Sequence, residues 1–98
     1  MKDIIIKSYE EELGNELYTL HVPKNVNSES LKSALDMASK YASATEVYSQ
    51  EDADYYELDN NWKKAWYDGN GIERFFNYLK VVYGWKYDDI TYDYEFEW

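Results

Sequence analysis

Ile90-Thr91-Tyr92-Asp93-Tyr94-Glu95-Phe96-Glu97-Trp98 alternates apolar and polar residues without a break. Ile90, Tyr92, Tyr94, Phe96 and Trp98 hold one parity; Thr91, Asp93, Glu95 and Glu97 hold the other. A period of two predicts a strand with one face on a core and the other in water. Three of the four outward positions are carboxylates and none is basic. Same-face side chains on a strand repeat about every 6.7 Å, so the pattern predicts a row of acids. Such a strand needs a sheet to join and a layer to cover its rings.

The preceding chain supplies both. Ile72, Phe75, Phe76, Leu79 and Tyr83 recur at helical spacing, with Asn70 available as a cap and Gly84 where a left-handed C-terminal residue belongs. Leu31, Ala34, Leu35, Ala38, Tyr41 and Ala42 form a second helical stripe over roughly 28–43, capped by Asn27 or Ser28. Its three alanines suit close packing. Ile4, Ile5 and Ile6 are β-branched and predict a strand with some burial on both faces. Leu17 to Val22 predicts its hairpin partner, with Gly14 and Asn15 in the turn and Pro23 ending the ladder. Thr45 to Ser49 suggests a short strand centred on Val47, and 50–61 a loop or short helix. Trp62, Ala65 and Trp66 have helical spacing, and Asp68-Gly69-Asn70-Gly71 is a break. The expected fold is α+β: a small antiparallel or mixed sheet, made of the N-terminal hairpin and the C-terminal strand, with two main helices packed on one face.

At 98 residues, 45% of them hydrophobic and 19% aromatic, the chain is expected to form one ordered domain over 1–98. The absence of cysteine excludes disulfides and thiolate metal sites. No apolar run reaches signal-peptide or transmembrane length, so no membrane association and a cytoplasmic location are expected. A formal charge of −10 weighs against direct nucleic-acid or anionic-membrane binding, which need a positive footprint.

Catalytic constellations are not found. His21, the sole histidine, sits between Leu20 and Val22 with no nucleophile nearby in sequence, and reads as an ordinary strand residue. A calcium loop starting at Asp68 fails, because Glu73 stands where glycine is required and Leu79 where the bidentate glutamate belongs. Gly69 and Gly71 precede a helix, but the flanks are acidic and no phosphate-binding lysine follows; a turn and cap is the better reading. Carboxylate pairs carry no specificity among twenty acids. A chain this short has little room for a cleft of ~300 Å³. A non-enzyme without metal or cofactor is expected.

The acids carry the remaining signal. Residues 8–16, 41–62 and 87–98 hold fifteen of the twenty acids and none of the ten basic residues. Solvated charge runs are the ordinary explanation for acidic faces. Clustering like charges within a Debye length of ~8–10 Å nevertheless costs stability, and here the acids are interleaved with tyrosines. Carboxylates beside rings suit Arg and Lys through charge pairing and cation–π contact. The candidate partner-binding residues are Glu10, Glu11, Glu12, Glu51, Asp52, Asp54, Tyr55, Glu57, Asp59, Asp88, Asp89, Asp93, Glu95 and Glu97. The expected partner is a basic nucleic-acid-binding protein, a nuclease first among them.

In size, charge and ring content the chain resembles small acidic phage and mobile-element proteins: antirestriction proteins, uracil-glycosylase inhibitors and anti-CRISPR proteins. That outline implies a DNA-mimic inhibitor that covers a basic nucleic-acid-binding surface. The same charges fit an immunity protein or antitoxin against a nuclease toxin, or a structural subunit meeting a basic neighbour. One acidic strand face has half the charge density of a DNA strand, whose phosphates lie about 3.4 Å apart, so mimicry needs a second acidic stretch beside it.

Overall fold

The computed structural model describes residues 2–10, 14–88 and 91–93, with side chains described for 2–7 and 17–88. Strands β1 (Lys2–Glu10) and β2 (Gly14–Val22) form the expected antiparallel hairpin, from Lys2 opposite Val22 to Glu10 opposite Gly14. β2 therefore begins at Gly14, inside the segment whose composition suggested the turn. Two further strands, β3 (Lys86–Tyr87) and β4 (Thr91–Asp93), pair antiparallel with the other edge of β2. β2 is the centre of the sheet. The part of the expected final strand beyond Asp93, with Ile90, lies outside the described residues.

β3 and β4 run along β2 with registers that differ by one residue. Tyr87 pairs with Leu20 but Thr91 pairs with Leu17, so three residues connect them where β2 spends two. An extra residue of this kind shifts the pleat. As a result Tyr87 and Tyr92 both stand opposite even-numbered positions of β2, Leu20 and Glu16.

Alternation along β2 sends Tyr18, Leu20 and Val22 into the core, with Ile4 and Ile6 of β1 half-buried beside them. The other face is uncovered among the described residues. Ile5 is 57% exposed there, between exposed Asp3 and Lys7, which corrects the expectation of burial on both faces of β1.

Helices α1 (Ser28–Ser43) and α4 (Gly71–Tyr83) cover the even-numbered face. Asn27 caps α1 by accepting from the Ser30 N–H, and Asn70 caps α4 by accepting from the Glu73 N–H. Gly84 closes α4 in the left-handed region at φ 73°, where a glycine pays no Cβ penalty. Phe76 joins the layers: its ring stacks on Tyr87 at 4.1 Å and meets Tyr18 at 4.9 Å.

Between the two long helices lie α2 (Gln50–Tyr55) and α3 (Trp62–Ala65). Residues 45–49 form no strand, contrary to expectation. Val47 is buried there, Thr45 bonds the Tyr56 hydroxyl, and Ser49 instead caps α2 by accepting from the Asp52 N–H.

α1 and α4 meet with unusual closeness. A methyl group at Gly71 would lie 3.0 Å from the Ala42 carbonyl oxygen. Across that junction reaches Arg74, the only arginine, buried and donating to the carbonyls of Tyr41 (2.9 Å), Ala42 (2.8 Å) and Gly69. A cation on the exposed carbonyls of a helix C-terminus satisfies orphan acceptors and opposes the negative end of the dipole. Trp66 covers the guanidinium at 5.3 Å.

Candidate functional site

Two of the three acid-only stretches are brought together by strand pairing. β4 sets Tyr92 opposite Glu16 and Asp93 opposite Asn15, while on the far side of β2 Glu10 stands opposite Gly14 and Ser8 opposite Glu16. Neighbouring strands are spaced about 4.8 Å apart. Glu10, Glu16 and Asp93 thus belong to one end of one sheet at the level of backbone register, Glu10 and Glu16 at even-numbered β2 levels and Asp93 at an odd-numbered one. Glu11, Glu12, Asp89, Glu95 and Glu97 lie outside the described residues.

The third stretch is anchored in the helical layer and its residues divide. Glu51, Asp54, Tyr55 and Glu57 face solvent; Tyr55 is 81% exposed with its ring edge-on to Tyr56 at 5.0 Å. Tyr48 stands out beside them at 77% exposure. Asp52 is drawn into the start of α2, accepting from the Tyr48 N–H at 2.8 Å, and Asp54 accepts from Gln50 Nε2 at 2.9 Å. Glu57 occupies a positive φ of 60°, the turn that follows α2.

Asp59 is turned inward. Its carboxylate accepts from the hydroxyls of Tyr41 and Tyr78 at 2.7 Å each, and from the backbone and side-chain N–H groups of Asn61. Burial works to raise its pKa, but these hydrogen bonds outweigh it and leave the carboxyl lowered. Burial, then the adjacent carboxylate, pushes both tyrosine hydroxyls well above their ordinary range. The sequence grouped Asp59 with the surface acids, yet the fold uses it as an internal strut.

A second cluster escaped sequence reasoning. His21 Nδ1 lies 2.8 Å from Asp3 Oδ1 and Nε2 lies 3.0 Å from Asp88 Oδ2. Carboxylates only accept, so both contacts are hydrogen bonds together only when the ring is doubly protonated. Hydrogen bonds to Asp3 and then Asp88 raise the His21 pKa. Asp88, a candidate partner residue, is therefore bound to the sheet through this ring while remaining exposed. Nothing in the sequence near His21 signals the trio, because its three members come from β1, β2 and the residue after β3.

Concavities adjoin α4 among the described residues. One of about 180 Å³ lies among Tyr67, Glu73, Phe76, Asn77, Lys80 and Tyr87. Another, of about 450 Å³, is open and lies among Val26, Glu29, Ser30, Ser33, Tyr83 and Trp85, more space than so short a chain suggests. Its polar groups include one carboxylate and two serine hydroxyls among the named residues. Among the described residues no three His, Cys, Asp or Glu side chains are grouped to hold a metal ion. No helix among them is long and apolar enough to cross a membrane.

No protein-family model matches the chain, and no curated protein or solved structure gives a significant match.

Proposed function

We propose that the protein is a non-catalytic acidic inhibitor that occupies the basic nucleic-acid-binding surface of a nuclease or another DNA- or RNA-binding protein, in the cytoplasm. The supporting observation is the pairing of β4 with residues 15–17 of β2, which joins two acid-only stretches on one sheet. A single acidic strand is too sparse to imitate a phosphate backbone. Strands about 4.8 Å apart put Glu16 and Asp93 on neighbouring strands at alternate positions of the pleat, so this end of the sheet carries acids at positions of both parities. Tyr48 and Tyr55 add exposed rings in the same stretch as the exposed Glu51 and Glu57, a surface chemistry suited to arginine and lysine.

Inhibition on this reading needs no reaction. The acidic surface steers the protein onto a basic cleft, releases the counter-ions held there, and denies the cleft to its substrate. Affinity capture from host lysate at low and high salt tests it, using the wild type and a variant with Asp93, Glu95 and Glu97 changed to serine. The expected result is recovery of a nucleic-acid-processing protein that is lost at high salt, weakened by the triple variant and displaced by duplex DNA. Capture indifferent to all three treatments overturns charge mimicry.

A further inference from the structure

β1 ends the sheet on its side: among the described residues no strand pairs with its outer edge. A nine-residue strand with an open edge is a template for another strand. Natural edges are usually shortened, broken by proline or covered. β1 has no proline, and its centre is the run Ile4-Ile5-Ile6.

The order of residues about that centre is self-complementary. In an antiparallel pair of two β1 strands with Ile5 opposite Ile5, Ile4 falls opposite Ile6 and Asp3 falls opposite Lys7. By symmetry each of the last two pairs occurs twice. Asp3, Ile5 and Lys7 all project from the exposed face, so two Asp–Lys pairs would flank an Ile–Ile pair there. On the other face the half-buried Ile4 and Ile6 would meet their counterparts and extend both cores across the junction.

Other registers fail. A shift of one residue in the pairing turns the helices of the two copies to opposite faces of the joint sheet. A shift of two toward the N-terminus sets Asp3 against Ile5 and Lys2 against Ile6. A shift of two toward the C-terminus sets Ile5 against Lys7 and breaks the ion pairs. Charge does not oppose this location: residues 2–7 contain Lys2, Asp3 and Lys7 in a chain of net −10.

We infer that the protein self-associates through β1, two copies pairing antiparallel about Ile5 into one continuous sheet with the helices of both on the same face. The contact is isologous and closes as a dimer, leaving β3 and β4 at the outer edges. A strand-to-strand junction of this length lies at the small end of specific interfaces, so association is read at concentrations on the order of 100 µM. Pairing along β1 is independent of what the acidic surface binds.

Sedimentation equilibrium of the whole chain at about 0.15 M salt tests it. Lys7→Asp sets carboxylate against carboxylate in both flanking pairs, and Asp3→Lys sets ammonium against ammonium; each variant alone is expected to be monomeric. Their equimolar mixture brings opposite charges together again in both pairs and is expected to dimerise. Circular dichroism verifies that each is folded, Asp3→Lys having lost its contact with His21. A second route uses the lack of cysteine. Directly opposed strand residues have Cα atoms about 4.5–5.5 Å apart, within the ~4.4–6.8 Å span of a disulfide. Oxidised Ile5→Cys is expected to become a covalent dimer at least tenfold faster than the control Lys24→Cys, at an exposed position away from β1. A wild type that stays monomeric, a dimer unmoved by either single charge reversal, or equal cross-linking of the two cysteine variants each overturns the inference.

Discussion

Tyr41 of α1 and Tyr78 of α4 pack with ring centroids 4.5 Å apart and donate their hydroxyls to the two oxygens of one carboxylate, Asp59. Both rings are buried, and the carboxylate they share is itself half-buried. Asp59→Ala removes the acceptor that both hydroxyls share and is expected to cost about 2–4 kcal/mol, read as a lowered urea midpoint with unchanged slope. Tyr41→Phe removes one donor and leaves the carboxylate its other partners, so its cost is expected to be smaller.

The same cluster gives the protein an acid limb. A carboxyl lowered in the fold stabilises above its unfolded pKa and loses that contribution as pH falls through the folded value. Stability is expected to drop below about pH 4, the unfolded aspartate value, and Asp59→Asn should flatten that drop in melts taken across the acid range.

His21 works in the opposite direction. Its pKa is raised by Asp3 and Asp88, so its contribution is complete below the unfolded histidine value of about 6.5 and is lost as pH climbs through the folded value. Desolvation opposes protonation but leaves the net shift upward. Proton NMR is expected to place the His21 titration above that of an unfolded histidine. Substituting His21→Gln should abolish the decline in stability between neutral and mildly alkaline pH.

Arg74 is expected to tolerate no replacement well. Lysine carries the charge but lacks the planar fork that spans three carbonyls, so Arg74→Lys is predicted to cost about 2–3 kcal/mol. For a domain of this size that is a fall of roughly 10–20 °C in melting temperature, measurable by calorimetry.

Gly84 tests the end of α4. At φ 73° a β-branched residue is strained, so Gly84→Val should cost about 1–2 kcal/mol and Gly84→Asn distinctly less in thermal melts.

Both long helices, their asparagine caps and Gly84 were legible because period and capping are local properties of sequence. The hairpin was legible for the same reason, though Gly14 proved to be strand. Residues 50–61 were legible only as a loop or short helix, because a six-residue helix is too short to show a period and its Ser49 cap lies in a segment of strand-like composition. Asp59 was misjudged as surface because its interior role comes from the packing of Tyr41 against Tyr78, and neither ring is near it in sequence. The one-residue offset between β3 and β4 depends on which strand each joins, which composition does not encode. Arg74 and the His21 trio were missed because their partners are distant in sequence.

The burial of Arg74 makes surface charge and fold chemically separable. Every other cationic side chain is a lysine, bar the histidine, so reagents that acylate amines reach the surface positive charge while sparing the guanidinium that locks α1 to α4. By the same division, substitutions among the nine lysines can retune the protein's overall charge over many steps, and the interior cation need not follow.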